Sequence, residues 1–152
     1  MGEGQKEHVQ VRDSVFEARV RESFGRQQFM GTIGARLRRV APGEVEIEAP
    51  VREDLSQQHR YLHAGVVTAL VDTACGYSAL TLSPPDTEVL SVEFKVNFLA
   101  PASGRAVVAR GRVVRAGRSI TVCTGDAVAI DDSGETTIAT MLATMLIVDG
   151  QR

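Results

Sequence analysis

Between Tyr61 and Pro85 the chain carries one side chain of fixed charge, Asp72, set in the middle of the apolar run LHAGVVTALVDTACGYSAL (Leu62 to Leu80). No other stretch constrains the fold as strongly. The run is too long for one strand, is rich in Ala and Leu, and shows no two-residue alternation, so it predicts a helix. It is apolar around most of its circumference, which calls for burial on nearly all sides. An ionised carboxylate in such a helix is costly unless a partner or a reaction uses it. Gly65, Thr68, Ala69, Asp72, Gly76 and Ala79 recur on one helical face of mostly small residues, where a second backbone or a ligand can come close.

The run opens with His63-Ala64-Gly65, a helix start whose free backbone N–H groups suit an oxyanion. Gly65 and Asp72 share a face but lie roughly 10 Å apart along the axis, too far to act together on one small group. Two such helices packed antiparallel in a dimer bring each Asp72 to the other chain's helix start. The bland alternative is a buried carboxylate satisfied by Thr68, Thr73 or backbone donors, and spacing alone leaves both open.

The segment Leu62 to Leu82 has about the length of a bilayer span, roughly 20 residues. A charge at its centre and the sheet-like pattern downstream argue against that reading. Composition supports an ordinary globular protein of one domain: 43% hydrophobic, 24% charged, formal net charge -2. The near-balance of charge excludes the basic excess of a nucleic-acid protein. Cys75 and Cys123 sit in apolar contexts without metal-type spacing, which suits a reducing cytoplasm, and the polar start lacks a signal-peptide pattern. Met-Gly is followed by Lys at position 6, a poor myristoylation signal.

Residues 1–10 read as disordered, and 11–150 as the domain. Val11, Val15 or Phe16, Val20 and Phe24 mark a short amphipathic helix, with Asp13 or Ser14 as N-cap and Gly25 as its stop. Phe29 and Met30 lead into a first strand. From Thr32 the period is two: Ile33, Ala35 and Leu37 oppose Arg36 and Arg38. Pro42-Gly43 turns the chain, and Val45, Ile47 and Ala49 alternate with Glu44, Glu46 and Glu48. A polar loop covers 53–61. After the central helix, Val89 to Leu99 alternates strictly, with Leu90, Val92, Phe94, Val96 and Phe98 on one face. Strands near 105–116, 118–131 and 136–148 follow, the last expected to be central and covered on both sides. Tight turns make the four a meander. The fold class is α+β: a curved antiparallel sheet of about six strands wrapped around one long helix, its open apolar face awaiting a partner subunit.

Other chemistries fit poorly. His59 and His63 are four apart but gather no third metal ligand. Cys75 has no nearby base to make it a nucleophile. Arg110, Arg112, Arg115 and Arg118 fit a solvated sheet edge or a phosphate-binding rim. Gly31-Thr-Ile-Gly34 lacks the strand–loop–helix setting of a phosphate loop.

The stretch SQQHRYLHAGVVTALVDTACGYSAL, the strand VLSVEFKVNFLAPA and the turn VVRAGRS resemble the hotdog-fold thioesterases of the phenylacetate-degradation (PaaI-like) type, over about residues 32 to 148. The resemblance implies that Asp72 is general base or nucleophile on an acyl-CoA thioester. It implies that the N–H of Ala64, after the signature His63, polarises the thioester carbonyl. Many members have Gly at that position; in several, an Asn six residues before the His assists catalysis, and this chain has Gln57 there, so the resemblance gives Gln57 that catalytic role. The resemblance also matches Ser91 to a hydroxyl near the attacking water, and Arg118 with Ser119 to a turn that contacts CoA phosphates. His63 and Gly65 fall at the substrate end of the helix.

The expectation is therefore an acyl-CoA thioesterase, a homodimer and further a dimer of dimers. It needs no metal or organic cofactor beyond the CoA of the substrate and binds neither nucleic acid nor membrane. The rivals are a dehydratase or hydratase on the same fold, and a non-catalytic acyl-CoA-binding module in which Asp72 is structural. The acyl group stays open among aryl, medium and long chains.

Overall fold

The computed structural model describes residues 11–150; the expectation of disorder over residues 1–10 and the rejected myristoylation signal lie outside it. The elements run α1 (Phe16–Gly25), α2 (Gln28–Thr32), β1 (Arg36–Ala41), β2 (Glu44–Pro50), α3 (Ala64–Leu80), β3 (Thr87–Phe98), β4 (Ala106–Ala116), β5 (Ile120–Asp131) and β6 (Gly134–Asp149). A short 3-10 turn at Glu53–Leu55 interrupts the loop expected over 53–61. The six strands form one antiparallel sheet in the order β1-β2-β4-β5-β6-β3, and α3 lies across its concave face against β2, β4 and β5. This is the hotdog arrangement that the resemblance implies.

Helix and sheet approach closely because two strand glycines face α3. A Cβ at Gly111 would collide with the backbone of Ala74, and one at Gly125 would lie 2.5 Å from Val71 Cγ1 and 2.8 Å from Cys75 Sγ. The core between them holds Leu70, Val71, Ala74, Val107, Ala109 and Ala127, all fully buried. Past the helix end, Thr81 Oγ1 donates to Ser78 O at 2.6 Å and accepts from Gly43 N at 2.7 Å, pinning the β1–β2 turn to α3. The last carbonyl of α3 and the segment after it meet Arg19 of α1, whose guanidinium donates to Leu80 O at 2.8 Å, Ser83 O at 3.2 Å and Pro84 O at 2.7 Å. A cation at the electronegative end of a helix satisfies orphan acceptors and fixes α1 in place.

Several expectations need correction. The N-cap of α1 is Val15, without a side-chain cap; Asp13 instead accepts from Val15 N at 2.9 Å and pairs with Arg19 at 3.2 Å. Phe29 and Met30 do not enter a strand. They belong to α2, and Met30 fills the core, so pairing begins only at Arg36, beyond Gly34 at φ +72. A short apolar run is compatible with either state, and packing decides.

The meander holds for β4, β5 and β6 but not for β3, which pairs with β6 while β4 pairs with β2. The connection at 99–105 is a crossover tied down by Leu99 N to Ile138 O and Leu62 N to Ala102 O, with Pro101 unable to extend a ladder. The strict alternation of β3 is also broken. The register shifts between Ser91 and Glu93, so Val89 and Val96 pack on the core while Leu90 and Val92 stand exposed. β6 is internal to the sheet, yet its outer face is open at Leu142, which is exposed.

Candidate active site

α3 is covered on one side only. Ala64 and Gly65 are exposed, Thr68, Ala69, Asp72, Thr73 and Gly76 are half-buried, and the residues between are buried. This open stripe follows helical spacing and is the small-residue face, except that Ala79 is buried beyond its end.

His63 caps the helix. Its Nδ1 accepts from Gly65 N at 2.9 Å, so the Gly65 amide is spent locally. Ala64, whose N–H has no acceptor among the described residues, borders a cavity of about 410 Å³. Gln57 lies on the same cavity, in a loop closed by the Ser56–Leu62 bridge and by Gln57 N to Tyr61 O at 2.9 Å. The Gln57 carboxamide oxygen accepts from His59 N within its own turn. Phe98, Leu99 and Ile138 supply apolar walls.

Asp72 faces a second cavity, of about 290 Å³. Ser91, placed inward just before the β3 bulge, donates to Asp72 Oδ1 at 2.7 Å. The stripe of α3 thus presents a carboxylate at one cavity and a free amide at another, eight residues and roughly 12 Å apart. Thr68 and Thr73 do not bond the carboxylate among the described residues; Ser91 does.

Arg118 and Ser119 are exposed on the β4–β5 turn and border neither cavity. Arg110 and Arg112 are engaged in ion pairs on the outer sheet face, with Glu46 and Glu135 and with Asp126 respectively. Among the described residues no three His, Cys, Asp or Glu side chains cluster, so His59 and His63 stand without a third ligand. Both cysteines are buried. Burial raises the Cys75 thiol far above its ordinary range, and Cys123 and Asp72 nearby add to it; burial pushes Cys123 up to about 11. Neither is poised to attack an ester.

Sequence reasoning did not single out Tyr77, Ser23 or Gln27. Tyr77 is buried, its ring 5.9 Å from that of Phe24, and it lines the Asp72 cavity together with Ser23 and Gln27. The available signal was a phenol in an otherwise apolar helix, since such a group needs a polar partner.

An antiparallel sheet folded round one helix, with an acid and an unspent helix-start amide on the helix's uncovered stripe, defines an enzyme of the hotdog class suited to activated acyl groups. The pattern of the thioesterase superfamily matches residues 59–135, and the chain belongs to that superfamily. It is a hydrolase of thioester bonds. A thioesterase family protein from Silicibacter pomeroyi has a solved structure that is 47% identical, with a TM-score of 0.87, covering 89% of this chain and 99% of that one. The 1,4-dihydroxy-2-naphthoyl-CoA hydrolase of Listeria monocytogenes is 31% identical over 91 residues, 60% of this chain and 74% of that protein. The PaaI protein of the E. coli phenylacetic acid degradation operon shares the fold, with a TM-score of 0.79 at 15% identity over 90% of this chain and 95% of that one. No helix among the described residues is long and apolar enough to cross a membrane.

Proposed function

We propose that the chain is an acyl-CoA thioesterase whose site is completed between two copies, with Asp72 of one copy and the Ala64 amide of the other serving one thioester. The observation that carries this is the separation of the two groups into different cavities on one open stripe. A two-fold axis through Thr68, midway between them, sets Ala64 of each copy opposite Asp72 of the other. Thr68 and Ala69 at the crossing are small enough for close helix approach. The edge strand β3 exposes Leu90, Val92 and Phe98, apolar surface that an isolated chain leaves uncovered, and Leu142 offers a further face for a dimer of dimers.

In this reading Asp72, with one oxygen held by Ser91, takes a proton from water as the water oxygen adds to the thioester carbonyl carbon. The Ala64 N–H stabilises the resulting oxyanion. Collapse breaks the C–S bond, and the proton held by Asp72 goes to the departing CoA thiolate, leaving free acid and CoA. The chemistry needs no metal or organic cofactor. Gln57 lies beside the amide and orients the carbonyl, Gly65 and His63 hold the helix start, and Arg118 with Ser119 meets the CoA phosphates.

The test uses two defective chains. Asp72→Ala removes the base. Ala64→Pro removes only the oxyanion donor, because proline is tolerated at the first helical residue and His63 already has the extended backbone that must precede it, at φ -61 and ψ 136. Each homodimer should show little thiol release from acyl-CoA. Co-expression should restore about a quarter of wild-type turnover, since half the dimers are mixed and each mixed dimer has one intact site. A co-expressed sample no better than its parents would overturn the composite site.

A further inference from the structure

The cavity beside Asp72 does not end in hydrocarbon. Its far wall comes from α1 and the α1–α2 junction, outside the segment that matches the superfamily pattern. There Gln27 Nε2 donates to the Tyr77 hydroxyl at 2.9 Å, and Ser23 Oγ lies 3.2 Å from that same oxygen. Two hydroxyls sharing one mutual hydrogen bond retain one unspent O–H, and the Gln27 side-chain carboxamide oxygen accepts no hydrogen bond among the described residues. The Arg19 clamp on the end of α3 holds this group in place. Gly76, one turn beyond Asp72, leaves the passage clear: a Cβ built there meets nothing within 4 Å. Glu88 adds an exposed carboxylate to the lining.

We infer that this cavity takes the acyl group and that Ser23, Gln27 and Tyr77 select a compact acyl chain bearing a neutral hydrogen-bonding group, such as a hydroxyl, at its far end. The inference rests on the reading of Asp72 as the group that meets the thioester. A plain alkyl end would bury the spare donor and acceptor unpaired, whereas a hydroxyl engages both. A terminal carboxylate would face Glu88. Tyr77 is five positions beyond Asp72, an axial rise of about 7.5 Å, roughly the reach of a six-carbon acyl chain.

Thiol release is measured with hexanoyl-CoA, 6-hydroxyhexanoyl-CoA and adipoyl-CoA, three probes of equal carbon number. The hydroxylated probe should exceed hexanoyl-CoA by on the order of tenfold in kcat/KM, with adipoyl-CoA lowest. Tyr77→Phe and Gln27→Leu should each bring the hydroxyl preference towards unity. Gly76→Leu fills the passage and should lower the ratio of hexanoyl-CoA to acetyl-CoA turnover by at least tenfold. Hydrolysis of the hydroxylated and plain probes within twofold of each other would overturn the inference and leave the thioesterase reading standing. No thiol release from any probe would instead remove the thioesterase reading itself.

Discussion

The two faces of α3 hold two side chains capable of nucleophilic chemistry three residues apart, and the structure treats them oppositely. Asp72 lies on the open stripe, half-buried, beside a cavity and held by Ser91. Cys75 lies on the covered face, fully buried beneath β4 and β5, where Gly125 leaves space for its sulfur. A thiolate is intrinsically the better nucleophile, but burial keeps the thiol protonated and water and substrate do not reach it. Access decides which residue can react. The covered face anchors the helix, and the other face stays accessible.

The sharpest way to break this division is to make one change on each face and read both activity and stability. Asp72→Asn keeps shape and removes the base. Turnover of an acyl-CoA should fall by about 10²–10⁴-fold while the melting temperature barely moves, since the residue is half-exposed and Ser91 can still bond the amide oxygen. Near-normal turnover would transfer the chemistry elsewhere. Gly111→Ala does the reverse. Its methyl would meet the Ala74 backbone, which cannot step aside as a flexible side chain would, so α3 must shift off the sheet. Chemical denaturation should show a loss of about 1–3 kcal/mol. A variant as stable as wild type would mean that the close approach of helix and sheet is not needed.

The same contrast explains what was legible in the sequence. The covered face of α3 announces itself through composition, and β2 through the alternation of Val45, Ile47 and Ala49, all three of which are buried. Asp72 stands out because nothing around it is charged. The position of β3 was not legible: alternation fixes faces but not neighbours, and the pairing of β3 with β6 depends on a crossover whose residues look like any turn. The bulge at Val92 was hidden for a related reason, because one inserted residue reverses the faces without changing composition. Ser91 therefore points to Asp72 while Val92, its neighbour, stands exposed. The roles expected of Ala64, Gln57 and Arg118 rest on family resemblance. The structure adds a physical reason for Ala64 over Gly65, since His63 consumes the second amide and leaves the first.

The smallest expected effect concerns the covered face alone. Burial pushes Cys123 up to about 11 against the opposing hydrogen bond from Ser78, and raises Cys75 further still. In the unfolded chain both thiols ionise near their ordinary value of about 8.5. Below that pH both states keep the protons and the full stability is present. Above it the unfolded chain releases protons that the folded chain retains, so stability falls as pH rises towards 11. The melting temperature should therefore be flat between about pH 6 and 8 and decline between about pH 9 and 11. Cys123→Ala should show a shallower decline than wild type, whatever its absolute melting temperature, because other groups that titrate in this range are common to both chains. Equal slopes would place the Cys123 thiol in contact with water in the folded state, so that the layer between β5 and the covered face of α3 is not dry.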